Sequence, residues 1–93
     1  MVTINDLPDI EAYCDTIIRR IHGEISRKLE EKGVFGDRID PLYALTLSVL
    51  SQARTLPWHL LDDSRSPEET DRAFNTAMQQ LKQDLSTLEN SLF

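Results

Sequence analysis

Apolar residues recur every three or four positions along two long stretches of this 93-residue chain, and this spacing most restricts its fold. Residues at such intervals lie on one face of an α-helix, whereas a half-buried strand needs strict alternation. The apolar positions are Ile10, Cys14, Ile17, Ile21, Ile25 and Leu29 in the first stretch and Phe74, Met78, Leu81, Leu85, Leu88 and Leu92 in the second. The pattern predicts helices over residues 8–32 and 67–91.

Proline and glycine mark where these helices begin and end. Gly33 supplies a stop for the first helix, whereas Gly23 lies inside it and indicates either a close approach by another helix or a weak point. Ser66 is positioned to cap the last helix in a capping box, with the Glu69 carboxylate returning to the Ser66 backbone N–H. We therefore expect sharp boundaries at both long helices.

A third helix is predicted between them. Asp40 and Pro41 form a cap and a first helical position, and the apolar residues that follow nearly encircle the helix over 41–55. A helix that is apolar on most sides is buried on most sides, so we expect it to be the central element. Pro57 ends it, and a short helical turn is expected near 57–62.

These elements predict an all-α fold, a three-helix bundle with two long outer helices and a short central apolar helix. The chain forms a single domain over residues 1–93, with an extended N-terminal arm at 1–7 and with Val34 and Phe35 plugging the core from a loop. Because the outer helices are longer than the central one, we expect apolar ends that another chain covers.

Charge and cysteine content restrict the function. With 16 acidic and 10 basic residues the formal charge is −6, which disfavours direct binding to nucleic acid or to an anionic membrane and leaves a protein with a basic surface as a partner. No apolar run is long enough to span a bilayer, and the first residues do not resemble a signal peptide, so a cytoplasmic location is expected. The single cysteine, Cys14, excludes an intramolecular disulfide.

Residues that usually carry chemistry do not form a recognisable constellation. His22 and His59 lie in different segments and outside helical metal-site spacing, and Cys14 falls on an apolar face where burial raises a thiol pKa. No glycine-rich phosphate loop is present. We therefore predict a protein that is not an enzyme, with no catalytic, cofactor-binding or metal-ligating residues.

Partner-binding residues are predicted around the kink at Pro57. Trp58 follows the proline, and tryptophan serves either as a plug in a bundle or as an interface anchor. The predicted partner-binding set is Trp58, Leu61, Asp62, Asp63, Glu68 and Glu69. The acidic members support a second hypothesis, a small acidic inhibitor or immunity-type protein that blocks a basic active or nucleic-acid-binding surface.

The leucines of the last helix support self-association. Their spacing approximates the 3.5-residue repeat of a coiled-coil seam, so the stripe either packs inside the bundle or also pairs with a second copy. We take Leu81, Leu85, Leu88 and Leu92 as a predicted dimer interface. The leading hypothesis is a non-enzymatic, homodimeric protein–protein interaction module that acts as an adaptor or regulatory subunit.

Overall fold

The structure is a computed structural model, which describes residues 1–34, 36 and 40–93. Its helices are α1 (Leu7–Arg20), a π-helical segment (Ile21–Ile25), α2 (Ser26–Glu31), α3 (Pro41–Thr55), α4 (Trp58–Leu61) and α5 (Pro67–Leu92). The first three are continuous, and we call them the amino-terminal rod. This rod, α3 and α5 form a three-helix bundle, which confirms the predicted all-α fold.

The N-terminal arm is shorter than predicted. Residues Ile4–Asp6 form a 3-10 turn that leads directly into α1, so only the first three residues precede the helices. The turn forms because the Thr3 hydroxyl accepts from the Asn5 backbone N–H at 3.3 Å and the Thr3 backbone N–H donates to the Asp6 carboxylate at 2.9 Å. This capping box was not recognised, and the prediction of an extended arm over 1–7 was wrong for that reason.

The π-helical segment explains how one face of the rod stays apolar. Ile17, Ile21, Ile25 and Leu29 follow one another at intervals of four and are all buried. In an ideal α-helix four residues turn about 400°, so such a series drifts by about 40° at each step. The wider π turn absorbs that drift, and the Ser26 hydroxyl donates to the Ile21 carbonyl across it.

Gly23 lies in this segment without a close neighbour. A Cβ added there would meet no atom within 4 Å, so of the two explanations offered for Gly23 the close helix approach is wrong. Gly33 acts differently. Its φ of +78° ends the rod, and the N–H groups of Gly33 and Val34 donate to the carbonyls of Glu30 and Leu29. This pair of hydrogen bonds is a Schellman motif.

Side-chain caps start the other two long helices. The Asp40 carboxylate accepts from the Leu42 backbone N–H at 2.9 Å, and the Ser66 hydroxyl accepts from that of Glu69 at 3.2 Å. The Glu69 carboxylate accepts from the Ser66 hydroxyl and not from its backbone N–H, so the capping box predicted at Ser66 is only half formed. Both helices nevertheless begin where their caps predict.

The rod and α5 run parallel, and α3 runs between them in the opposite direction. The Val2 N–H donates to the Asp71 carboxylate at 2.7 Å and Arg20 donates to Glu89 at 2.9 Å. Both contacts join residues that are 69 positions apart, so the two helices advance in the same direction and at the same pace between them. Gln52 of α3 donates to Asp84 of α5 at 2.7 Å. An up-down-up path of this kind places the first and last helices in the same direction.

The core is one cluster drawn from all three long helices. Its fully buried side chains include Ile25, Val49, Leu56, Leu81 and Leu88. Val34 is buried as predicted, whereas Phe35 lies outside the described residues. Leu60 of α4 is also buried, so α4 extends the cover that the short α3 provides. The expectation of uncovered ends on the outer helices was therefore wrong for Ile10 and Phe74, which are buried at this end of the bundle.

The helix α3 is not buried on most sides. Its buried residues are Thr46, Val49 and Ala53, while Leu47 is 38% exposed. With only two long neighbours, each helix of a three-helix bundle keeps one face in solvent. The prediction of a buried central helix was wrong because it counted apolar residues without counting the neighbours available to cover them.

Candidate functional site

At Pro57 the helix α3 gives way to the short helix α4. Proline has no N–H and its ring clashes with the carbonyl four residues earlier, so α3 ends at Thr55. The next turn, α4, is closed by the Leu60 N–H, which donates to the Pro57 carbonyl at 3.1 Å. One helical turn has an inner and an outer side. Leu60 faces the core, whereas Trp58 and Leu61 are 65% and 57% exposed.

Trp58 and Leu61 border a groove of about 330 Å³ between α1 and the junction of α3 with α4. Cys14 and Ala53 are the buried part of its lining, and Ile18 and Pro57 complete the apolar surface. Of the two roles considered for Trp58, the plug is therefore not observed. The side chain lies at the edge of a groove and remains accessible to a partner.

The charged residues of this groove come from two walls. Glu11 and Asp15 lie one turn apart on the α1 wall, and Arg54 lies on the α3 wall; all three are exposed. None of them forms an ion pair with any residue that the structure describes. Sequence reasoning missed these three residues. The signal was the four-residue spacing of Glu11 and Asp15 beside Cys14 and Ile18 on one helix.

Cys14 is held as a thiol at the floor of the groove. Its side chain is buried, and burial together with the negative charges of Asp15 and Glu11 raises its pKa to about 11. At neutral pH the sulfur is therefore protonated, a state that is neither a strong nucleophile nor a good metal ligand. The groove is suited to contact through apolar surface and not to thiolate chemistry.

The predicted acidic cluster is largely occupied by local contacts. Asp62 accepts from the Ser64 hydroxyl and from the Ser64 backbone N–H, which lowers the Asp62 pKa, and it pairs with Arg65 at 3.3 Å. Glu69 accepts from the capping hydroxyl of Ser66. Of the four predicted acidic residues, Asp63 and Glu68 are exposed without a side-chain partner among the described residues. The structure therefore places Trp58 and Leu61 together at the groove, but not the acids with them.

The leucine stripe of α5 faces the chain's own core. Leu81, Leu88 and Leu92 are buried, and Leu85 is half-buried against the same cluster. The expectation that this stripe leaves its side chains to a second copy was therefore wrong for the three buried leucines, because the rod and α3 already cover them. Dimerisation stays a prediction, without these three residues to support it.

The two histidines lie apart. His22 is exposed in the π-helical segment, and His59 lies on α4 with its Nδ1 3.4 Å from the Arg65 guanidinium. Within residues 1–34, 36 and 40–93, no three His, Cys, Asp or Glu side chains are grouped so that they could hold a metal ion. His59, Arg65 and Arg72 instead border a shallow open groove beside the start of α5.

Models of known protein families, curated proteins and solved structures gave no match to this chain. Among the described helices, none has the length and apolar content to cross a bilayer.

Proposed function

We propose that this chain is a non-enzymatic helical protein–protein interaction module that acts as an adaptor or regulatory subunit. The observation that carries the proposal is the exposure of Trp58, the only tryptophan of the chain, together with Leu61 beside an apolar groove. Large apolar side chains grouped at a concave surface are typical of protein interfaces, and tryptophan is among the residues most enriched at interface hot spots.

The bundle supports this role because the groove does not depend on the exposed side chains for stability. Leu56 and Leu60, on either side of Pro57 in the chain, are buried in the core. They fix the backbone that presents Trp58 and Leu61. A preformed surface loses little conformational entropy when a partner binds. The raised pKa of Cys14, the one thiol of the chain, supports binding over thiolate catalysis. The proposal includes a cytoplasmic location, where a lone cysteine stays reduced.

The acidic inhibitor hypothesis has less support. It needs carboxylates that are available to a basic partner, yet Asp62 and Glu69 are engaged in the turn and the cap around them. Asp71, another acidic residue near the start of α5, is engaged as well, since its carboxylate accepts from the Val2 N–H. Self-association through α5 also has less support, because Leu81, Leu88 and Leu92 are buried in the chain's own core. A second copy of the chain could instead occupy the groove, and sedimentation distinguishes that case from binding of another protein.

The proposal is tested by comparing the proteins that three immobilised forms retain from the native host. The forms are the wild type, the double variant Trp58→Ala/Leu61→Ala, and Phe93→Ala, which removes an equally exposed apolar side chain at the far end of α5. We expect a partner that the wild type and Phe93→Ala retain and the double variant loses.

The partner is then purified and its affinity measured by calorimetry. Loss of a hot spot costs about 2 kcal/mol or more, so the double variant should bind about thirtyfold more weakly. Unfolding curves confirm that the three forms are equally folded. Equal affinity of the double variant and the wild type for every retained protein would contradict the proposal.

A further inference from the structure

The charge around the groove is unbalanced. Glu11 and Asp15 line the α1 wall, one basic residue, Arg54, lies on the opposite wall, and none of the three forms an ion pair with a described residue. Carboxylates beside an apolar surface attract a basic segment and disfavour an acidic one. The groove therefore favours a positively charged partner and also offers it an apolar surface.

A second copy of this chain is a poor fit to that charge. In a symmetric dimer the groove meets its own image, so the Glu11 and Asp15 carboxylates of two copies, four in all, face two Arg54 side chains. Each copy also has a formal charge of −6. The excess of negative charge opposes self-association, whereas a basic partner removes it.

The shape of the groove favours a helix as the occupant. The groove lies between two antiparallel helical segments, and its volume of about 330 Å³ admits a few side chains but not a whole helix. An amphipathic helix satisfies this shape by placing apolar side chains at positions i, i+3 or i+4, and i+7 in the groove while its axis lies above it.

We propose that the groove binds a basic amphipathic helix of another protein, with apolar side chains against Trp58, Leu61 and Ile18 and with Lys or Arg side chains beside Glu11 and Asp15. This inference rests on the proposed function and adds the chemistry of the partner. The negative wall then selects the partner by charge, and the apolar surface provides most of the affinity.

Trp58 is itself the probe for the test, since it is the only tryptophan and lies at the groove. Three tryptophan-free helical peptides share one pattern of leucines at i, i+3, i+4 and i+7 and differ only in having Lys, Gln or Glu at the other positions. We expect the Lys peptide to shift Trp58 emission to shorter wavelength and to bind at least tenfold more tightly than the Gln peptide. The Glu peptide should bind most weakly.

A pair of charge variants separates groove attraction from the overall charge of the protein. Asp15→Lys and Glu30→Lys each change the formal charge from −6 to −4, since an acid becomes a base in both. Both residues are exposed on the amino-terminal rod, about 22 Å apart along it. We expect Asp15→Lys to lower the affinity for the Lys peptide at least fivefold, and Glu30→Lys to lower it less than twofold. High salt should reduce the preference for the Lys peptide.

Each contrary result has a distinct meaning. Equal affinity for the Lys and Gln peptides overturns the inference about charge and leaves the proposed interaction surface intact. If Asp15→Lys and Glu30→Lys lower the affinity for the Lys peptide equally, the inference about charge is also overturned, because the attraction is then not local to the groove. A concentration-dependent shift of Trp58 emission without peptide, with twice the monomer mass in sedimentation, assigns the groove to a second copy. If no peptide binds, the inference fails, and the partner capture with Trp58→Ala/Leu61→Ala decides the proposed function separately.

Discussion

The Arg20 guanidinium donates to the Glu89 carboxylate across 2.9 Å and joins two parallel helices at positions 69 residues apart in the chain. Val2 and Asp71 are separated by the same number of residues and are also hydrogen-bonded. The two contacts lie far apart along the bundle and therefore fix the alignment of the rod with α5. The bond to Glu89 also raises the pKa of Arg20.

The Arg20–Glu89 pair should contribute a small, salt-sensitive stabilisation. Both side chains are about one-third exposed, so water screens the attraction and we expect a coupling of about 0.5 to 1 kcal/mol. A double-mutant cycle of Arg20→Ala and Glu89→Ala in urea unfolding measures it at low and high salt. The more exposed pair Lys28–Glu31 serves as the control, with a smaller expected coupling. A coupling near zero at low salt would contradict the prediction.

Substitutions of two glycines, Gly23 and Gly33, should have opposite effects on stability. Gly23→Ala meets open space at a residue without positive φ, so it should stabilise the protein by about 0.4 to 1 kcal/mol. Gly33→Ala forces a side chain into a φ of +78° and should destabilise it by about 1 to 2 kcal/mol. Free energies of unfolding from denaturant titration check both. A destabilising Gly23→Ala would show that the π-helical segment requires glycine for another reason.

Truncation of two leucines of α5 should cost different amounts of stability, because one lies in the core and the other at its edge. Leu88 is 0% exposed, so Leu88→Ala leaves a cavity and should cost about 3 to 5 kcal/mol. Leu85 is half-buried, and Leu85→Ala should cost less than about 2 kcal/mol. Chemical unfolding followed by circular dichroism gives both values, and sedimentation reports the mass of each variant. If Leu85→Ala is the more costly change and also halves the mass, the stripe joins two copies.

Stability should fall in alkali because of Cys14. Its folded-state pKa of about 11 is above the value of about 8.5 in an unfolded chain. Between these values the unfolded chain loses the thiol proton while the folded protein keeps it, so the contribution is complete below about pH 8.5 and lost by about pH 11. We expect a loss of about 2 to 3 kcal/mol over this range.

The control for this prediction is Cys14→Ala. Its stability should fall less with rising pH, since the thiol is absent and the pKa of Tyr13, which is raised first by burial and only second by the charge of Cys14, changes less. The difference between the two unfolding free energies, measured from about pH 8 to pH 11, therefore reports mainly the contribution of the thiol. Parallel curves for the two proteins would mean that Cys14 titrates normally in the folded state.

Local sequence determined the helices and most of their boundaries. The intervals of three and four fix which face of each helix is apolar, and Asp40, Ser66 and Gly33 act within one helical turn, so no distant residue is needed to infer them. The π-helical segment is also present in the sequence, as three successive intervals of four from Ile17 to Leu29, although we did not recognise it.

The tertiary structure alone decided which apolar residues stay exposed. Trp58, Leu60 and Leu61 share one helical turn, and sequence does not reveal which of them faces the core, because that depends on how α4 meets α5 after Pro57. The same holds for the groove, since Glu11 and Asp15 are more than 40 positions from Trp58 and approach it only when α1 packs beside α3. Periodicity defines a face of a helix, whereas a surface is defined by what the remaining helices leave uncovered.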